Sequence, residues 1–345
     1  MKSLPFGLDI GASSVKVVWL SQDQGMFFLN AASSMPLFAK GMQSDSPFDQ
    51  EQMAKALQGA VKNAKITTPF VNVALPENQV YTRILEMPVL SDKELSSAIY
   101  WEAEQYIPVP LNTVTFDWKV LAKPKSTEAG ATMKVLLVGA PTTIIDRYQK
   151  IIGLSGLTIN AVETEILSVA RSVITDNNFP NTLLIHIGAI STLIAIIKDA
   201  TIIFTYFVPV GGTAISRAIA ADFSFTIAQA EEYKRLYGYS SKTFGGKIGK
   251  SSEPILMSIL TEVKKAIALY TDKFKGETPI QQILLSGGTA KLAGIDLFFT
   301  EHSGIQTAIV NPWKILKDAG QLPKEITGSG PDYVVAIGLA MRDYA

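Results

Sequence analysis

The chain has 345 residues, and its 31 lysines and arginines balance its 31 aspartates and glutamates, so the formal net charge is zero. At about 150 residues per domain, this length predicts two domains or one two-lobed domain, and the balanced charge gives no electrostatic footprint for nucleic acid or for an anionic membrane. With no cysteine and two histidines, the sequence excludes disulfide scaffolds, iron–sulfur clusters and thiolate zinc sites.

Only 18% of the residues are charged, and the mean hydropathy of +0.22 raises the question of a membrane segment. The longest apolar stretch, 183–197, is interrupted by polar residues, and it is shorter than the roughly 18 residues that a spanning helix needs. No apolar run of the kind found in signal peptides precedes Asp9. We therefore expect a cytoplasmic protein that does not insert into a membrane.

Two segments share one pattern: residues 7–20 read GLDIGASSVKVVWL, and residues 184–197 read LIHIGAISTLIAII. In each, a short apolar run leads to a glycine and small hydroxyl residues, and a second β-branched run follows. Asp9 aligns with His186 and Gly11 with Gly188, an offset of 186 − 9 = 177 residues. Two strand–turn–strand hairpins, one opening each half, predict a duplicated two-lobed α/β fold with lobes at about 1–178 and 179–345.

Between the hairpins, helical and strand patterns alternate. They predict a helix over 52–64, strands over 70–75 and 80–85, a helix from a capping box at 91–94 to Tyr106, strands over 115–121 and 134–139 around a mobile polar loop at 122–131, a helix over 142–154 and a strand over 158–163. The segment from about 74 to 157 is thus predicted to be an inserted β-α-β-β-α subdomain of the first lobe.

After the second hairpin, glycine pairs alternate with helical patterns. The sequence predicts a strand over 204–210, a helix opening at Gly211-Gly212-Thr213, a helix from a capping box at 226–229 to Gly238, an apolar helical stripe over 255–274 that belongs to the core, a strand over 282–286 leading into Gly287-Gly288-Thr289 and a helix, and a closing helix over 333–342 that packs back on the fold.

The first hairpin has the residues of an anion site. Gly11 lets the turn come close to a ligand, and consecutive backbone N–H groups of the turn can form an anion-binding nest. Ser13 and Ser14 add hydroxyl donors. Lys16, on the following strand, can reach a phosphate as a point charge. An ordinary β-hairpin with a solvated lysine is the alternative interpretation.

Further candidates lie elsewhere in the chain. Asp9, at the mouth of the first hairpin, can hold hydrated Mg²⁺ beside phosphates. The second hairpin offers Gly188, Ser191 and Thr192 as the opposite side of a phosphate clamp, and Gly287, Gly288 and Thr289 place a close backbone approach before a helix. Glu231 and Lys234, three residues apart on a helix, either contact a ribose and base or form an exposed ion pair of little worth.

Three of these segments, 7–19, 183–197 and 283–295, resemble the phosphate-1, phosphate-2 and adenosine motifs of the actin-like ATPase superfamily. Within it, the chain is similar to the PilM family of type IV pilus assembly proteins, and the resemblance runs in order over essentially the whole chain. The strings that carry it are DIGASSVKVV, EAEQYIPVPLNTVTFDW, AVETEILSVARS, VGGTAISRAI followed by AQAEEYKRL, LLSGGTAKLAGI, NPW and YVVAIGLAMR.

The resemblance implies an actin-like, ribonuclease H-like fold whose two lobes enclose a nucleotide cleft, with ATP or ADP and Mg²⁺ as cofactors. It assigns Asp9, Gly11, Ser13, Ser14 and Lys16 to the phosphates and Mg²⁺, and Glu231 and Lys234 to the nucleoside. The other nucleotide-binding candidates are Ala12, Gly188, Ser191, Thr192, Gly211 and Gly212. The resemblance places the turn at 287–289 around adenine and the α-phosphate. It assigns to Glu165 the role of orienting the attacking water.

One departure concerns hydrolysis. The second phosphate motif of this superfamily normally begins with aspartate, whereas this chain has His186. A neutral imidazole is a poor ligand for Mg²⁺, which prefers oxygen, and phosphoryl transfer depends on positioning and electrostatics. We therefore predict slow or negligible turnover with nucleotide binding retained; the alternative is that His186 is a tolerated residue away from the metal.

The family resemblance further implies a scaffold role at the inner membrane, in which the protein binds the cytoplasmic N-terminal tail of a PilN-like membrane protein and connects it to the assembly motor ATPase. Arg83, Ile99 and Tyr106 in the insertion are candidate contacts, although Ile99 and Tyr106 equally fit a subdomain core. A homo-oligomer is compatible with this role.

Two rival functions stay open. An FtsA- or MreB-like protein would form filaments, but FtsA-type chains end in a linker and a membrane-targeting helix, and MreB lacks the EQYIPVPL insertion. A sugar or acetate kinase would need an acidic base beside an acceptor pocket, and the sequence has no second acidic motif suited to it.

Overall fold

The computed structural model of the chain describes residues 4–37, 41–124 and 130–344. In the first half the elements are β1 (Phe6–Ile10), β2 (Ser14–Asp23), β3 (Met26–Pro36), α1 (Pro47–Asn63), β4 (Phe70–Leu75), β5 (Tyr81–Pro88), α2 (Asp92–Tyr106), β6 (Val114–Ala122), β7 (Thr132–Pro141), α3 (Thr142–Leu154), β8 (Thr158–Thr164) and α4 (Glu165–Val173). In the second half they are β9 (Thr182–Ile187), β10 (Thr192–Lys198), β11 (Thr201–Val208), α5 (Gly212–Phe223), α6 (Ile227–Tyr237), α7 (Lys247–Lys273), β12 (Gln282–Ser286), α8 (Ile295–Ser303), β13 (Thr307–Ile309), α9 (Lys324–Thr327) and α10 (Val334–Met341).

Two five-stranded sheets follow the same plan. Their orders are β3-β2-β1-β4-β8 and β11-β10-β9-β12-β13. In both, an antiparallel three-stranded meander is extended by two parallel strands on the side of its first strand. The predicted duplicated two-lobed α/β architecture is therefore confirmed.

The insertion forms a third sheet, with the order β5-β7-β6. Helix α2 covers one face of it, and its predicted capping box is present, with the Ser91 side chain accepting from the Glu94 N–H. Apolar side chains of the opposite face, among them Ile84 and Leu121, pack against a cluster that contains second-lobe residues. Helix α3 instead buries Tyr148 and Ile151 in the core of the first lobe, so the boundaries at 74 and 157 stay a prediction.

Helix α10 lies against the first sheet and α4. A Cβ on Gly7 would lie 2.0 Å from the carbonyl oxygen of Ala336, and a Cβ on Gly338 would lie 1.8 Å from that of Ser168. Both positions therefore need glycine for backbones to approach this closely. Because α10 also packs with buried residues of β9 and β10, it ties the two sheets to one core.

The structure differs from the sequence prediction in local detail. The helix expected directly after Gly287-Gly288 is a short 3₁₀ turn, Gly288–Lys291, and α8 starts only after Gly294, whose φ is +85°. Strand β11 begins three residues before the predicted position. Residues 125–129 of the loop predicted at 122–131 lie outside the described residues. Within the described ranges, no helix is both long and apolar enough to cross a membrane.

Candidate functional site

A cavity of about 1010 Å³ lies between the two lobes, and all three glycine-rich turns line it. The predicted site residues on its wall are Asp9, Gly11, Ala12, Ser13, Ser14, Lys16, Glu165, His186, Gly188, Ser191, Gly212, Glu231, Lys234, Gly287, Gly288 and Thr289. Segments more than 270 residues apart in sequence thus converge on one space. Their individual roles stay predictions.

The two hairpins have the same closing geometry. The Gly11 N–H donates to the Ser14 carbonyl at 3.0 Å, and the Gly188 N–H donates to the Ser191 carbonyl at 2.9 Å. In the first hairpin Lys16 pairs across the strands with Asp9. Its Nζ donates to Ser14 Oγ at 2.8 Å and lies 3.5 Å from Asp9 Oδ2. The first hairpin therefore presents a cation, a carboxylate and hydroxyls at the cavity.

The second hairpin lacks both charges. His186 occupies the position of Asp9 and pairs with Leu193, which occupies the position of Lys16. Nδ1 of His186 lies 3.0 Å from Ser286 Oγ on the neighbouring strand. Thr192, predicted to face the ligand, is buried, and its hydroxyl donates to the Val210 carbonyl at 2.7 Å.

The third turn is locked onto the second hairpin. Gly287 has a φ of +86°, and a Cβ there would lie 2.5 Å from the Ile187 carbonyl oxygen. The Thr289 hydroxyl donates to the Gly188 carbonyl at 3.1 Å, and the N–H of Gly212 donates to the same carbonyl at 2.9 Å. These contacts fix the position of the Gly188 loop from two directions.

Gly211 lies behind the cavity wall, where it supports the same loop. A Cβ on Gly211 would lie 2.6 Å from the backbone nitrogen of Ser191. Glycine is therefore required here for packing, and the backbone of Gly211 does not face the cavity.

Glu231 and Lys234 are not the exposed ion pair that the sequence left open. Lys234 is 7% exposed, and its ammonium donates to Glu231 Oε2 at 2.6 Å, to the Ser216 hydroxyl at 2.9 Å and to the Gly212 carbonyl at 3.0 Å. Arg235 also contacts Glu231, at 3.0 Å. The network holds the start of α5 against α6 at one end of the cavity.

Burial shifts the titration of the charged groups around the cavity. It raises the pKa of Asp9, although nearby Lys16 opposes the rise. Burial, with the negative charges of Asp9 and Glu77, raises the pKa of Glu165 to about 8. Burial and the charge of Lys16 lower the pKa of His186 to about 4. At neutral pH, Glu165 is therefore mostly protonated and His186 is a neutral imidazole.

Sequence reasoning missed several residues on the cavity wall. Asp332 forms an ion pair with Lys291 at the third turn, and Gln79 comes from the 3₁₀ turn Glu77–Gln79 that follows β4. Burial raises the pKa of Glu77, in the same turn, to about 7. None of these residues belongs to a recognisable motif; the one available signal is their position directly after a strand or before a helix of the core.

The partner candidates lie in the insertion, away from this cavity. The Arg83 guanidinium lies 4.8 Å from the centre of the Tyr106 ring, and the Tyr106 hydroxyl donates to the Thr82 carbonyl at 3.0 Å. Tyr106 also lines a second cavity of about 230 Å³ between the insertion and β10 and β11. Ile99 is fully buried among the apolar residues of the insertion, so it offers no surface to a partner in this conformation.

A model of the family described as type IV pilus assembly protein PilM matches residues 7–344. The cell division protein FtsA of Streptococcus pneumoniae serotype 2 (strain D39 / NCTC 7466) is 25% identical, over 89% of this chain and 75% of the FtsA sequence.

Solved structures show the same relationship. A chain of a PilM–PilN type IV pilus biogenesis complex superposes with a TM-score of 0.85 at 25% identity, covering 100% of both chains. The ethanolamine utilization protein EutJ from Carboxydothermus hydrogenoformans gives 0.59 at 15% identity, over 99% of this chain and 90% of that chain. MreB5 of Spiroplasma citri bound to AMPPNP superposes with a TM-score of 0.53 at 14% identity, over 100% of this chain and 97% of that chain. The last two show the fold alone, and the predicted actin-like fold is confirmed.

Proposed function

The chain belongs to the family of type IV pilus assembly protein PilM, and we propose that it binds ATP or ADP between its lobes and acts as a cytoplasmic scaffold for a membrane partner. The observation that carries the nucleotide site is the convergence of three glycine turns on one cavity beside a lysine. Structures with the same fold support it, since an MreB5 of this fold was solved with AMPPNP.

The residues on the cavity wall fit a nucleoside triphosphate. The turns at 11–14 and 188–191 both line the cavity. A Cβ on Gly11 or Gly188 would come within 3.1 or 3.2 Å of the carbonyl oxygen of Ser14 or Ser191 in the same hairpin, so glycine keeps both turns tight at the cavity wall. Lys16 adds a positive charge for phosphate. The apolar side chains of Ile227, one turn before Glu231 on α6, and of Leu292 also line the cavity and suit a base and ribose.

Magnesium fits on one side of the cleft. No group of three or more metal-ligating side chains occurs in the described part of the chain, and Mg²⁺ commonly binds through one carboxylate, waters and phosphate oxygens. Asp9 is the carboxylate that would hold it, through water. When bound, the ion would neutralise phosphate charge.

We propose that hydrolysis is slow or absent. The position that would supply a second carboxylate is His186, whose neutral ring adds no negative charge and faces Ser286. Glu165, the candidate for orienting water, is mostly protonated at neutral pH because its pKa is about 8. Both groups therefore lack the charge that general-base or metal-binding chemistry requires.

The test combines nucleotide affinity by calorimetry with phosphate release. We expect His186→Asp to raise phosphate release by about tenfold or more while ATP affinity changes little, and His302→Asn, which alters the other histidine outside the cleft, to change neither. Brisk wild-type turnover that His186→Asp does not raise would contradict the proposal.

The partner proposal draws on the similarity to a PilM–PilN complex. We propose that this chain binds the cytoplasmic N-terminal tail of a PilN-like membrane protein beside Arg83 and Tyr106, at the second cavity. Through this tail the protein would sit at the inner membrane and connect to the assembly motor. Arg83→Ala should weaken capture of the tail peptide, while Arg217→Ala, which removes an exposed arginine from α5, should not. Equal capture by both variants would rule out this surface.

Filament formation is the alternative, favoured by the 25% identity to an FtsA. Sedimentation with and without ATP separates the two functions, because a scaffold stays in the supernatant and a filament pellets. A sugar or acetate kinase would transfer phosphate to a small acceptor, which a screen of acceptors with labelled ATP would detect.

A further inference from the structure

The short turn that follows β4 places a glutamine on the wall of the cavity between the lobes. In the first sheet β4 lies between β1 and β8, and these three strands are parallel. Their carboxyl ends therefore meet at one edge of the sheet. At this edge β1 leads into the turn at 11–14, β8 leads into Glu165, and β4 leads into the 3₁₀ turn Glu77–Gln79. Gln79 lines the cavity there.

Gln79 is a neutral group beside carboxylates. The charges of Asp9 and Glu77 both raise the pKa of Glu165, so the turn, Glu165 and Asp9 are near neighbours. The side chain of Gln79 carries no charge, and its amide can donate hydrogen bonds through Nε2 and accept them through Oε1. Toward a bound polyphosphate, an N–H donor is attractive where a carboxylate is repulsive.

The amide oxygen of Gln79 is buried and has no partner in the protein. Six buried side-chain oxygen atoms of the described residues lack a hydrogen-bond partner, and Gln79 Oε1 is the one among them whose residue lines this cavity. A buried amide oxygen without a donor lowers stability, because it has lost water and gained no hydrogen bond in return. The fold therefore gains no hydrogen bond from this oxygen, and the amide is available to a ligand.

The proposed nucleotide site brings the end of the triphosphate to this edge. The base and ribose are assigned to the part of the cavity beside Glu231 in the second lobe, and the phosphates to the space between the turns at 11–14 and 188–191. A triphosphate that extends from Glu231 toward the first hairpin ends at the carboxyl ends of β1 and β4. Gln79 lies at this end, far from the base.

We propose that the side-chain amide of Gln79 hydrogen-bonds to the terminal phosphate of ATP and makes the cavity distinguish ATP from ADP. This inference rests on the proposed nucleotide site and adds the residue that recognises the third phosphate. The amide N–H donates to a phosphate oxygen, and a hydrogen bond to a charged group is stronger than one between neutral groups. ADP has no third phosphate, so its binding does not depend on this contact.

The experiment measures the dissociation constants of ADP and of AMPPNP, a non-hydrolysable ATP analogue, by calorimetry on the full chain with Mg²⁺. The variants are Gln79→Ala, which removes the amide, and Gln79→Glu, which keeps the size of the side chain but replaces the N–H donor by a carboxylate oxygen. The control is Gln22→Ala, since Gln22 is an exposed glutamine at the end of β2 away from the hairpin turn. Urea unfolding without nucleotide shows that each variant is folded and measures its stability.

The proposal predicts that Gln79→Ala weakens AMPPNP binding by about tenfold and ADP binding by less than about twofold. Gln79→Glu should weaken AMPPNP binding at least as much, because its carboxylate repels the phosphate. Gln22→Ala should change neither dissociation constant. Gln79→Ala should be at least as stable as the wild type, because no hydrogen bond to Oε1 is lost.

Two results would overturn the assignment of Gln79: an equal loss of affinity for both nucleotides, or AMPPNP binding that neither variant weakens. A wild-type protein that binds neither nucleotide would instead refute the nucleotide site on which this inference rests. The ratio of the two dissociation constants separates recognition of the third phosphate from a structural role, because a distorted cavity would weaken both nucleotides together.

Discussion

Replacing Glu165 by glutamine should stabilise the protein, and the gain should grow with pH. Burial and the charges of Asp9 and Glu77 raise the pKa of Glu165 from 4.5 to about 8, so the folded protein holds this proton more tightly than the unfolded chain does. For an acid with a raised pKa, stability is greatest below the unfolded value and falls as the pH rises toward the folded value. At about 1.4 kcal/mol per pH unit, the wild type should lose about 3 kcal/mol between pH 5 and 7.5 that the glutamine variant keeps.

Urea unfolding at these two pH values, without nucleotide, measures this difference. The control is Glu301→Gln, because Glu301 is exposed on α8 and its replacement should shift the stability equally at both pH values. Glu77 also has a raised pKa, but it is present in both the wild type and Glu165→Gln and gives both the same dependence of stability on pH. The difference between these two proteins therefore reports Glu165. If the free-energy difference between Glu165→Gln and wild type were the same at pH 5 and at pH 7.5, the buried-carboxylate account of the cleft would be wrong.

Three further outcomes follow from the packing around the cavity. Gly287→Ala should lower the unfolding free energy by about 3 kcal/mol or more and weaken nucleotide binding, because its Cβ would lie 2.5 Å from the Ile187 carbonyl oxygen. The control is Gly276→Ala, at a similar φ of +83° with open space around it. Its unfolding free energy in urea should fall by only about 1–2 kcal/mol. Glu231→Gln should lower the unfolding free energy by about 3 kcal/mol because it leaves the buried Lys234 without its counter-charge. The control Glu262→Gln, beside the exposed Lys265, should change the unfolding free energy by less than about 1 kcal/mol. Equal effects of the two variants would show that the buried pair is no more important than a surface pair. Lys16→Ala should weaken ATP binding by about tenfold or more in calorimetry with the fold intact, and an unchanged dissociation constant would remove Lys16 from the phosphate site.

The sequence predicted the parts of the site that are encoded locally. The two hairpins share a run of apolar, glycine and hydroxyl residues, and the structure gives both the same Gly-to-Ser hydrogen bond. The capping boxes at Ser91 and Thr226 begin helices as predicted. Such features depend on residues within three or four positions of each other, so periodicity and turn chemistry are sufficient to find them.

Features that depend on distant contacts were not predictable in the same way. The ion pair between Lys291 and Asp332 and the collision that requires glycine at 287 arise only when the loops meet. Likewise, Glu231 and Lys234 look like a surface pair in sequence, whereas in the fold both contact Ser216 on α5, with Lys234 buried and Glu231 half-buried. Ile99 has the spacing of a core residue and a binding residue alike, and its complete burial is a property of the assembled insertion.

A crystal structure of this chain grown with Mg²⁺ and a non-hydrolysable ATP analogue tests the central claim most directly. The account predicts one nucleotide per chain, with its phosphates between the turns at 11–14 and 188–191, Lys16 in contact with a phosphate oxygen, and the base near Glu231. Well-ordered crystals in which this cleft stays empty at saturating nucleotide, or in which the analogue binds elsewhere, would contradict it.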